Sequence, residues 1–120
     1  MPAYNFQSQF VGAILDGSKR QTIRPRRRRA TRSGDVLQLY TGMRTKGCRL
    51  LRVADCMDVK PIQIVPRALV VLMNGKVIED AEMVRFAAAD GFDDVEDFFV
   101  FFRRYSDAVL QNDLEVIYWR

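Results

Sequence analysis

The chain contains no histidine in its 120 residues, and that absence removes the side chain that most often moves a proton near neutral pH. Ser-His-Asp and Cys-His nucleophilic sites are excluded with it. Cysteine is scarce as well: Cys48 and Cys56 lie eight positions apart in stretches that read as strand. Without a second cysteine pair or an imidazole they do not form a zinc set, so no metal is expected and both read as small buried thiols. No apolar run approaches the roughly 20 residues of a membrane-crossing helix. The opening "MPAYNFQSQF" has no charged segment leading into an apolar one, so neither a secretion signal nor a membrane partner is expected and the cytoplasm is the expected compartment. Any chemistry must come from lysine, carboxylate, hydroxyl, tyrosine or thiol.

Basic charge is abundant and unevenly spread. Residues 1–34 hold eight Lys or Arg and one acid, Asp16, a net of +7, whereas residues 35–120 sum to −3. Within "DGSKRQTIRPRRRRATRSGD" six arginines (Arg24, Arg26, Arg27, Arg28, Arg29 and Arg32) occupy nine positions. Packing such a run in a core is prohibitive, so it is expected to be a loop between strands. Guanidinium forks match phosphate oxygens, so a nucleic acid or nucleotide is the expected partner, with Arg20 beside the run. Tyr40, Arg44 and Lys46 are placed on the same face, Tyr40 as a stacking surface for a base. The competing reading is a solvated, solubilising loop.

The pattern along the chain predicts a helix over about 8–16, with Phe6, Phe10 and Ile14 at helical spacing, Ser8 as its cap and Gly17 as its stop. "RQTIR" reads as extended up to Pro25, "DVLQLYTG" as a strand ending at Gly42, and Cys48 to about Val59 as a longer one. "ALVVLMNGKVIE" is a hairpin turning at Asn74–Gly75, where both residues tolerate positive φ. Helices are expected over Ala81–Ala89 and in "DDVEDFFVFFRRYSD", whose Val95, Phe98, Phe99, Phe102 and Tyr105 share a side; "LEVIYW" closes the chain as a strand. Short turns between strands, with few helices, predict one α+β domain over residues 1–120: a small, mostly antiparallel β-barrel with two or three flanking helices.

"FVGAILDGSKRQTIR", "GDVLQLYTG" and "AAADGFDDVEDFFVFF", in that order, resemble the ASCH domain family of the PUA-like superfamily, from about Phe6 to Trp119. The most specific pieces are the G-x-K-x-x-T-I-R segment from Gly17 to Arg24 and the Gly34-Asp35 pair; the Asp90–Phe92 step is weaker. The resemblance implies a PUA-like barrel with a cleft and a role in RNA or nucleotide biology, without a cofactor. Some members bind RNA or act like ribonucleases. One branch hydrolyses 4-acetylcytidine with a lysine, a threonine and a glutamate, which implies Lys19, Thr22 and, at or near the glutamate, Asp90 as catalytic residues. Asp90 is one methylene shorter, and the arginine loop and "YTGMRTKGCR" depart from the short members of that branch.

Physically, a threonine hydroxyl becomes a nucleophile when a neutral lysine takes its proton, and neighbouring arginines favour that neutral form. Against this stands an ordinary reading: a lysine after a helix stop suits the negative end of the helix dipole, and threonine is common in strands. Three functions therefore stand at this point: binding of RNA or a nucleotide in a basic cleft, hydrolysis of acetylated cytidine, and metal-independent cleavage of RNA.

Overall fold

A computed structural model describes all 120 residues. Its axis is β4, Arg49–Val65. Those 17 residues would span about 53 Å if straight, yet the longest dimension of the molecule is 38 Å, so the strand must curl. It does so with a register shift between Cys56 and Asp58, the local twist a bulge introduces. Curling lets one strand serve three partners. Arg49–Asp55 pairs with β3, Val36–Thr41; Cys56–Ile62 pairs with β7, Leu114–Trp119; and Ile62–Val65 pairs with β5, Val70–Met73. β6, Lys76–Val77, folds back on β5 through Asn74 and Gly75, both at positive φ as that dipeptide predicts.

Two outer strands complete the sheet. β1, Ala3–Phe6, runs parallel to β3, and β2, Gln21–Pro25, runs antiparallel to β7. The seven strands form one mixed sheet, antiparallel except for the β1–β3 pair. The sheet is not closed into the expected barrel, because no backbone ladder joins β1 to β2. Side chains cross that seam instead: Arg24 Nη2 donates to the Asn5 carbonyl at 2.6 Å, and Arg27 donates to the Ala3 carbonyl.

Four α-helices flank the sheet: α1, Val11–Asp16; α2, Asp80–Ala89; α3, Val95–Phe102; and α4, Asp107–Asn112. None is long and apolar enough to cross a membrane. α3 begins where the Asp94 carboxylate accepts the Asp97 N–H at 2.8 Å, and α4 where Ser106 Oγ accepts the Val109 N–H. The Phe-rich helix is core, as its spacing predicts. Phe98, Phe99 and Phe102 are fully buried, and Phe92 and Phe98 meet edge to face at 5.4 Å between centroids.

Several sequence expectations are corrected. Phe6 belongs to β1, where burial of Tyr4 and Phe6 alternates with exposure of Asn5, and not to the first helix. A 3₁₀ turn at Ser8–Phe10 precedes α1, and Ser8 caps nothing. β4 extends six residues past Val59, and α4 raises the helices from two or three to four. Cys48 is exposed in the turn before β4; only Cys56 is buried.

A candidate active site beneath the open seam

The junction from α1 to β2 is built to bury a lysine. Gly17, at φ +85°, ends α1 in the left-handed region. The Lys19 N–H then reaches back to the Ala13 carbonyl at 3.0 Å, wrapping the chain around the helix end. The Arg20 N–H donates to the Ala89 carbonyl at 2.8 Å, which ties the junction to the end of α2. Asp90, the residue that ends α2, is thereby brought against Lys19 across 71 residues of sequence.

Lys19 is only 2% exposed. Its Nζ donates to the Asp90 carbonyl, one of the unpaired acceptors at the negative end of α2, and lies 3.8 Å from Asp90 Oδ1. The rest of its surroundings are aromatic: Phe10 at 4.7 Å, Phe6 at 5.5 Å and Trp119 at 6.0 Å from the ring centroids. Gly91 allows this approach, since its φ is +94° and a Cβ there would stand 3.0 Å from both Lys19 Cδ and Phe10 Cδ1.

Burial penalises both charges. It lowers the Lys19 pKa from 10.5 to about 8, with Asp90 opposing the shift and Arg24 adding to it. It raises the Asp90 pKa from 3.8 to about 6, against the pull of Lys19, a hydrogen bond from Gln21 Nε2 at 3.3 Å, and Arg24. Between those values both groups are charged; the neutral amine takes over above about pH 8.

Lys19, Thr22, Arg24 and Asp90 line one cavity of about 170 Å³, with Phe6 and Phe10 among its walls. That is close to the roughly 150 Å³ that accepts a benzene ring and well below a typical drug-sized pocket. A single flat ring fits such a space. Thr22, 4% exposed, accepts a hydrogen bond on Oγ1 from Arg24 Nε at 3.1 Å, which fixes the hydroxyl and stabilises negative charge on it. Arg24 also lies 4.7 Å from the Phe6 ring centroid.

The other expected site residues lie outside this cavity. Arg27, Arg28, Arg29 and Arg32 line a separate, open depression beside Met1 and Pro2. Arg26 faces a shallow recess with Gln63, Asn74 and Gln111, and Arg20 is exposed. Tyr40 is half-buried on β3, while Arg44, at φ +67°, and Lys46 are exposed in the turn that follows; none of the three lines the cavity.

The structure adds Asn5, Gln7, Arg104 and Tyr105 to the cavity lining, and Gln21 to the buried polar group. Asn5 and Gln7 precede the expected helix and carry no signal of their own, and Arg104 suits the negative end of a helix dipole. Tyr105 falls in step with the apolar stripe, so its pattern marks it as core, but α3 ends at Phe102 and leaves Tyr105 half-buried beyond it. No family model, curated protein or solved structure matches this chain.

Proposed function

We propose that this chain is an ASCH-type hydrolase that takes a nucleobase into the Lys19 cavity and removes an acyl group from its exocyclic nitrogen, with 4-acetylcytidine as the model substrate. The observation that carries this reading is a buried lysine of lowered pKa sharing a one-ring cavity with an arginine-held threonine hydroxyl.

In the proposed reaction neutral Lys19 takes the Thr22 proton as Oγ1 bonds to the acyl carbon. Arg24 offsets the negative charge that develops, and the Asp90 carboxylate steadies the lysine ammonium. The ammonium then protonates the departing nitrogen, releasing cytidine and leaving acetyl on Thr22. Water attacks that ester, Lys19 takes one of the water's protons and returns it to Oγ1, and acetic acid leaves, losing its remaining proton to solvent as acetate. The net reaction consumes one water.

Incubating the protein with 4-acetylcytidine and following cytidine and acetate by mass spectrometry tests this. Lys19→Met and Thr22→Val should each lower turnover by at least about a hundredfold, the usual scale of a lost base or nucleophile. A second reading, binding without turnover, is favoured by the arginines that stand outside the cavity. It predicts RNA affinity with no acetate released. RNA incubated with EDTA should stay intact; fragments would point to strand cleavage instead.

A further inference from the structure

We propose that the arginine-lined depression is a phosphate track leading to the cavity, so that the substrate is a nucleobase carried on a single-stranded polynucleotide and not a free nucleoside. The inference rests on the cavity being the base site.

The loop that carries these arginines is pinned. Thr31, 3% exposed, hydrogen-bonds the buried Tyr4 hydroxyl at 2.5 Å. The Arg26 N–H donates to the Asp113 carbonyl at 2.7 Å, and the Asp35 carboxylate accepts the Arg32 N–H at 2.8 Å. Ser33 Oγ donates to the Met57 carbonyl. A loop fixed at both ends and in the middle presents its guanidinium groups in a set arrangement, which lowers the ordering cost of a bound strand.

The guanidinium charge is unneutralised. The two ion pairs of the molecule are Lys19–Asp90 and Lys60–Asp58, so none of the arginines has an acidic partner. Asp35, the one acid lining the depression, already accepts from the Arg32 backbone. Glu115 feels the charges of Arg26 and Arg27 but is buried on β7 and pairs with neither.

The depression and the cavity lie side by side along β1. Arg24, in the cavity wall, and Arg27, in the depression, hold the carbonyls of Asn5 and Ala3, two residues apart on one strand. Strand geometry puts those carbonyls about 7 Å apart, a step suited to successive phosphates of an extended strand. Both guanidiniums also lie over the Tyr4 ring, Arg27 at 3.8 Å and Arg24 at 5.5 Å. A base seated in a cavity sized for one ring must be out of any duplex stack, which selects a single strand.

The test compares wild type with Arg28→Gln/Arg29→Gln/Arg32→Gln, three exposed side chains that make no hydrogen bond. A thermal midpoint checks that the variant is folded. Substrates are free 4-acetylcytidine and short single-stranded oligoribonucleotides and oligodeoxyribonucleotides containing the acetylated base; the two oligonucleotides show which sugar is preferred. Wild type should favour an oligonucleotide at least tenfold in kcat/KM, and the variant should lose most of that ratio. No wild-type preference, or a ratio the variant leaves unmoved, overturns the track.

Fluorescence anisotropy with an unacylated oligonucleotide decides the matter independently of turnover. The log–log salt slope should be shallower by about 2 in the variant, at roughly 0.7 per single-strand phosphate. That result without hydrolysis of any substrate would keep the track and discard the hydrolase. Equal slopes, equal affinity for duplex, or equal displacement by polyglutamate would overturn the track, the last pointing to an acidic protein.

Discussion

Asp90 shows how environment sets the character of a single residue. It holds Lys19 through its carbonyl as well as its carboxylate, and it is buried enough that its own ionisation is costly. Its carboxylate nevertheless raises the Lys19 pKa against a larger lowering by burial. Asp90→Asn should therefore move the Lys19 titration below about 8, as followed by NMR of the lysine Cε. Movement toward 10.5 instead would show that burial is not what lowers it. The lysine–threonine spacing was legible from the sequence because the two residues lie three apart across one helix-to-strand junction. The burial of Lys19 was not, since its aromatic surroundings come from β1, α1 and β7, and its acid from the end of α2.

At the scale of the element, the arginine loop depends on one buried hydroxyl pair. Thr31→Val keeps the shape of the side chain but removes its partnership with the Tyr4 hydroxyl. It should cost about 1–3 kcal/mol, the penalty for a buried polar group left alone, and speed tryptic cleavage within Arg26–Arg32. An unchanged denaturation midpoint and cleavage rate would mean that the loop is held elsewhere. The sequence located this loop, the Asn74–Gly75 hairpin and the Phe-rich helix because each carries a strong local signal. It hid β1, whose Phe6 happens to fall in step with Phe10 and Ile14, and α4, whose six residues form barely more than one turn and a half. The open β1–β2 seam was equally hidden: strand order depends on pairings between distant segments, and local patterns do not record them.

For the whole molecule, the buried pair sets a pH signature on stability. Lys19 titrates near 8 when folded and near 10.5 when free, so unfolding takes up a proton between those values and stability rises with pH there. Asp90 titrates near 6 when folded and near 3.8 when free, so stability falls as pH rises across that lower range. Between about pH 6 and 8 both penalties are in force. Lys19→Met/Asp90→Leu should remove this dip and match or exceed wild type there by about 1–4 kcal/mol in urea denaturation, as buried ion pairs replaced by apolar groups often do. A double variant weakest at pH 7 relative to wild type would show that the pair is a net support of the fold. A double variant as stable as wild type or more so would mean that the molecule keeps a costly pair for what it does and not for holding itself together. The most direct measurement of that claim is the pH dependence of kcat/KM for acetate release from 4-acetylcytidine. A single rise through about pH 8 to a plateau is expected, abolished by Lys19→Met. No release at any pH, or release by Lys19→Met at the wild-type rate, would contradict it.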